Sequence, residues 1–161
     1  MSRAPWRWLL LSAAVIGLDQ WSKRLIESLL QPSESRYLLP VFNVVRAHNF
    51  GVAFSAFDWS AGWQRWVFSL LALAVACALV LWLGRLERGA HLEGASLGLV
   101  LGGALGNAID RLRLGVVVDF LQVHWHEHYF PAFNVADSAI TLGAIGLLLD
   151  AWLGSRRAAG H

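Results

Sequence analysis

The stretch Trp66–Leu83, WVFSLLALAVACALVLWL, runs for eighteen residues without a charge. As a helix, a run of that length covers a bilayer core. The rest of the chain points the same way. It is 57% hydrophobic and only 15% charged, with mean hydropathy +0.50, whereas soluble domains are about 45–50% apolar. Three less pure segments join the first: Trp6 to about Leu18, continuing into DQWSKRLIESLL; Gly94 to Ile109; and Val135 to Leu153. A cleaved signal peptide is a poor reading of the first, because no small-x-small cleavage site follows it and three more apolar segments come later. The 161 residues are read as one membrane-embedded domain with spans at roughly 6–25, 66–83, 94–112 and 135–153.

Trp6, Trp8, Trp21, Trp66, Trp82 and Trp152 fall near the expected span ends, where amphipathic rings sit at headgroup level. Four spans put both termini on one side, but Lys and Arg divide almost evenly between the two sides, so charge leaves orientation open. The net charge of +2 and the lack of a basic cluster interleaved with aromatics exclude a nucleic-acid binder. Cys77, the single cysteine, sits in an apolar run as a small hydrophobe.

The segments between spans carry their own patterns. YLLPVFNVVRAHN reads as two short strands around Phe42-Asn43, and DWSAGWQRW as a short interfacial helix with Trp59 and Trp63 at the headgroups. In the third span Gly94, Gly98, Gly102 and Gly106 recur every four residues, and Asp110 is the next step of that stripe. Gly103, Asn107 and Arg111 form the neighbouring stripe. Such a ladder lets another helix come close. The plainest reading of Asp110 and Arg111 is that they cap the span and pair with each other.

Two carboxylates stand out. Asp119 follows three valines in LGVVVDFLQVHW, and Asp137 lies about one turn into the fourth span, on one helical face with Asn134, Ser138 and Thr141. An ionisable residue at such a depth is a functional hypothesis by default. The loop between the two returns to the same membrane face and is long enough to bring them together. Two close carboxylates cannot both ionise cheaply, so one keeps a proton while the other acts as base on a water. Spacing alone does not exclude Asp110 as a member of the pair. Two other classes stay open from the residues: a proton- or ion-coupled carrier using Asp110 and Asp137, and a metal hydrolase using His124, His126 and His128 of HWHEH, which in a strand would point one way. In that strand Asp119 would face the opposite side.

The sequence resembles bacterial lipoprotein signal peptidases, the type II signal peptidases, over nearly its whole length. The resemblance rests on LDQWSK (Asp19, Lys23), HNFGVAFS (Asn49, Gly51, Ala53), GGALGNAIDRLRLGVVVDF (Asn107, Asp110, Arg111, Asp119) and HWHEHYFPAFNVADSAITLG (Asn134, Asp137), with four spans in matching places. It implies an all-α integral membrane protein of four transmembrane helices, with a small extracytoplasmic β-sheet cradle and a short interfacial helix in loops 26–65 and 113–134. It implies Asp119 and Asp137 as the catalytic pair of an aspartic endopeptidase that needs no metal or other cofactor. Asn49, Gly51, Asn107, Asp110, Arg111 and Asn134 would line or support the site, with Asp19 and Lys23 as a supporting ion pair. The implied substrates are prolipoproteins whose lipobox cysteine carries a diacylglyceryl group, cut before that cysteine. The implied setting is the cytoplasmic membrane, with cytoplasmic termini and a site near the outer face. Membrane lipid is the other expected partner, and four packed spans need no second subunit. His48 and Phe50 depart from the residues expected on either side of Asn49, which leaves the fine substrate contacts open.

Overall fold

The computed structural model describes residues 6–50, 63–87 and 89–159. Four helices and four strands follow in the order α1 (Trp6–Leu29), β1 (Ser35–Leu39), β2 (Phe42–Asn49), α2 (Trp63–Leu83), α3 (His91–Leu114), β3 (Val117–Trp125), β4 (His128–Tyr129) and α4 (Val135–Ala159). Three helical stretches are long and apolar enough to cross a membrane: Arg65–Leu83, His91–Leu114 and Val135–Arg156. α1 is as long as α3, but Asp19, Lys23, Arg24 and Glu27 lower its apolar character.

α3 is the hub. It packs against α1, α2 and α4, and over half of its apolar window is buried, against about a fifth in α2 and α4. The glycine ladder explains how. A Cβ at Gly98 would lie 2.9 Å from the Trp8 carbonyl oxygen, one at Gly102 2.8 Å from the Val15 Cβ, and one at Gly106 2.8 Å from an Asp19 carboxylate oxygen. Gly103, on the neighbouring stripe, meets Ala136 and Ile140 of α4. The stripe is therefore a packing device for α1. Ser12 Oγ donates to the Gly98 carbonyl at 2.8 Å across this contact. Ala76, Leu79 and Leu83 of α2 meet Leu97 and Leu101 of α3 in the apolar core. Leu70, Leu71, Leu142 and Leu148 face outward, as a lipid-facing surface requires.

The strands form one antiparallel sheet in the order β1-β2-β3-β4. The first hairpin turns at Pro40-Val41, ahead of the expected Phe42-Asn43, so both of those residues belong to β2. β2 carries a bulge between Val44 and Ala47, after which Ala47 pairs with Asp119 and Asn49 with Val117. Bulges of this kind re-aim side chains. Gly115 ends α3 in the left-handed conformation (φ 80°), its N–H donating to the Arg111 carbonyl, and swings the chain into β3. β3 itself was hidden in the sequence, because Val117, Val118, Asp119 and Phe120 are all buried and show no alternation. The interfacial helix expected over DWSAGWQRW falls largely outside the described residues, as does Gly51; α2 begins at Trp63.

Candidate active site

Asp119 and Asp137 meet through one asparagine. Asn134 stands immediately before α4 and Asp137 lies in the first turn. The Asn134 side-chain oxygen accepts from the Asp137 backbone N–H at 2.9 Å. In return the Asp137 carboxylate accepts from the Asn134 backbone N–H at 3.2 Å. This reciprocal pattern is a capping box, with Asn as N-cap and Asp at the third helical position. It commits the oxygen end of the Asn134 amide to the helix, so the NH2 end points away. That end donates to Asp119 at 2.6 Å. The helix start favours negative charge at Asp137, while the cap holds Asp119 beside it.

Asp119 is the third residue of β3. Its second oxygen accepts from the Asn49 side-chain amide at 3.0 Å, a bond made across the β2–β3 ladder. Burial pushes the Asp119 carboxyl up to about 6, with the Asp137 charge adding to the rise, while the bonds from Asn49 and Asn134 hold it back.

Asn107 of α3 completes the network. Its amide NH2 donates to the Asp137 carboxylate at 2.7 Å. Its oxygen accepts from Lys23 Nζ at 2.9 Å and from Asn134 at 3.2 Å. Lys23 has only donors to offer, so it fixes which way the Asn107 amide faces. Lys23 also bonds Asp19 at 2.8 Å and Asp110 at 2.9 Å, and all three groups are fully buried. The two carboxylates of this cluster reach on to the backbone beside the pair. Asp19 accepts from the Ala136 N–H at 2.9 Å, and Asp110 from the Val118 N–H at 3.2 Å.

Several expectations take their final form here. The Asp19–Lys23 pair is present, as four-residue spacing on a helix allows. Asp110 pairs with Lys23 and not with Arg111. Successive helical side chains point about 100° apart, so Asp110 faces α1 while Arg111 stacks over Phe68 of α2. Gln20 escaped the sequence reading although it neighbours Asp19. Its amide donates to Asp110 at 2.7 Å. HWHEH does not form one strand. β3 stops at Trp125, His126 sits in the turn with φ 52°, and His128 opens β4. His124 stacks on Tyr129. Among the described residues no three His, Cys, Asp or Glu side chains are placed to hold a metal. His48 lies in β2 and His91 opens α3, where it contacts Arg7.

Comparison with known proteins now has a geometry to meet. A family model described as Signal peptidase (SPase) II matches residues 11–153. The lipoprotein signal peptidase of Pseudomonas aeruginosa is 49% identical over 150 residues, covering 92% of this chain and 88% of that protein. That of Teredinibacter turnerae is 44% identical over 153 residues, covering 95% and 91%. Among solved structures, a bacterial membrane enzyme determined by the in meso method superposes with a TM-score of 0.81 at 27% identity, covering 92% of this chain and 89% of its own. A second structure described in the same terms gives 0.80, also at 27% identity, covering 90% and 92%.

Proposed function

The chain belongs to the signal peptidase II family, and we propose that it works as an aspartic endopeptidase with Asp119 and Asp137 as its catalytic pair. Membership makes it an integral membrane protease that removes the signal peptides of prolipoproteins. The observation that carries the catalytic reading is Asn134, whose side-chain amide donates to the buried Asp119 carboxylate and whose backbone N–H donates to the Asp137 carboxylate. Asp119, raised by burial, serves as the acid, and Asp137, in the first turn of α4, serves as the base. Asp137 takes a proton from a water, whose oxygen bonds to the carbonyl carbon before the cysteine. Asp119 protonates the carbonyl oxygen. Collapse of the tetrahedral species breaks the C–N bond: the proton held by Asp137 passes to the leaving amine, and a hydroxyl proton returns to Asp119 as the carbonyl re-forms. The chemistry needs no metal or other cofactor. Asn49, Asn107 and Asn134 hold the pair, and Asp19, Lys23 and Asp110 brace it.

The setting follows the same reading. The lipobox cysteine carries a diacylglyceryl group whose chains stay in the bilayer and hold the scissile bond at headgroup depth. α1 is the fourth span, its buried Asp19 and Lys23 neutralising each other. Both termini are cytoplasmic, the sheet cradles the substrate peptide near the outer face of the cytoplasmic membrane, and the single domain acts as a monomer surrounded by lipid.

The test is cleavage of a diacylglyceryl-modified prolipoprotein by purified wild type, Asp119→Asn and Asp137→Asn, each with and without EDTA. Both variants should lose at least about a thousandfold in rate while remaining folded, and EDTA should change nothing. Near-normal cleavage by either variant, or abolition by EDTA, overturns the assignment.

A further inference from the structure

The cation beside the carboxylate pair does not touch it. Arg111 lies one helical turn beyond Asn107, which donates to Asp137. Its guanidinium interacts electrostatically with Asp137, Asp119 and Asp110, in that order. Yet among the described residues it takes part in no ion pair, whereas Lys23 makes two. Its Cζ sits instead 5.2 Å from the centroid of the Phe68 ring, within the range of a cation–π contact. Phe68 is supplied by α2, which packs on α3.

We propose that Phe68 is a positioning residue whose ring parks Arg111 off the Asp119–Asp137 pair, so that the pair keeps its shared proton. The inference rests on the catalytic reading given above. A guanidinium in direct contact with a carboxylate favours its ionised form, and a pair with both members ionised has no general acid. The other charged groups around the pair are fixed. Lys23 of α1 spends its three donors on Asp19, Asp110 and Asn107. Asp110 of α3 is held by Lys23, Gln20 and the Val118 N–H. Arg65, near the start of α2, donates to the Leu112 carbonyl and lies over Trp66. β2 brings the neutral Asn49, with His48 opposite Val118. Arg111 is thus the cation with freedom to move, and the Phe68 ring decides where it rests. Left there, it lends positive potential to the site at a distance and keeps its donors available to a substrate carbonyl.

The experiment compares full-length wild type, Phe68→Leu, Phe68→Tyr and the double variant Phe68→Leu/Arg111→Gln in detergent micelles, with Phe68→Met as a substitute for Phe68→Leu should that variant fold poorly. Two readings are taken. One is the pH profile of kcat/KM. The other is the melting temperature against pH with and without Asp119→Asn, which follows the Asp119 titration and needs no activity. In wild type and Phe68→Tyr that titration should lie near pH 6. In Phe68→Leu it should fall by about one pH unit, with about a tenfold loss of kcat/KM at neutral pH and little change in KM. Adding Arg111→Gln should bring the titration back up. A Phe68→Leu titration that stays in place, a downward shift that survives Arg111→Gln, or a Phe68→Tyr variant that behaves like Phe68→Leu overturns the proposal. Full cleavage by Asp119→Asn would instead sink the catalytic reading, a different failure.

Discussion

Two pairs of carboxylates lie side by side around Asn107, and they are built in opposite ways. Asp19 and Asp110 share Lys23 at 2.8 and 2.9 Å. Asp119 and Asp137 share only amide and backbone donors, and Arg111, which acts on them electrostatically, rests on an aromatic ring. The first pair is held by Lys23 on both sides and serves as a brace. The second keeps a proton affinity that chemistry can use. A contact cation thus separates the two pairs: one is held by Lys23, the other by amides.

The sharpest way to break this contrast is to take the cation from the brace. Lys23→Met leaves two fully buried carboxylates without a cation, and removing one member of a buried pair costs about 3–5 kcal/mol. Thermal unfolding should show that loss. The Asn107 amide also loses its lock, so cleavage should fall with stability.

The second pair responds to pH. Asp119 ionises near 3.8 when unfolded and at about 6 in the folded protein. The folded state therefore holds the proton more tightly. This contribution is fully present below about pH 4 and is lost as pH rises through about 6. The difference in stability between wild type and Asp119→Asn should move by at most about 3 kcal/mol across that window, with the variant nearly flat. A wild type as flat as the variant would remove the distinction between the two pairs. On the same basis the fall in kcat/KM with rising pH should set in near 6, the free-enzyme value, and the fall in kcat at or above it, because bound substrate excludes more water.

Asn134→Ala tests the bridge. It removes an N-cap and a bond to a carboxylate, worth about 2 kcal/mol together, and should slow cleavage about a hundredfold as Asp119 loses its alignment. Less still rides on the helix contact itself. Gly102→Ala sets a methyl 2.8 Å from Val15 and should cost about 1–3 kcal/mol. Gly17→Ala meets nothing within 4 Å and should stabilise by somewhat less than 1 kcal/mol. Melting temperatures of the two variants decide the matter.

What the sequence disclosed followed physical rules of short range. The uncharged run from Trp66 became α2, the glycine stripe predicted a close helix contact, and the acid-first spacing of Asp19 and Lys23 became a buried pair. Spacing and family resemblance both brought Asp119 towards Asp137. What stayed hidden depends on direction and on distant partners. The capping box was written in the sequence as Asn134-x-x-Asp137, but nothing local says that the free end of the cap reaches Asp119. Asp110 was matched with its neighbour Arg111 because proximity along the chain misleads on a helix. The His126 turn contains no Gly, Pro or Asn to announce it, so the break between β3 and β4 within HWHEH could not be placed. Phe68 looked like one more apolar residue in a span.

Asn134 carries one more implication. Both Phe120 and Leu121 donate their N–H groups to the carbonyl of Phe133, immediately before the cap. The spacing between the two acids is therefore set by a clamp at Phe133-Asn134, with no help from the hairpin at 126–131. That hairpin can therefore change in length or side chains while the Asp119–Asp137 spacing is kept.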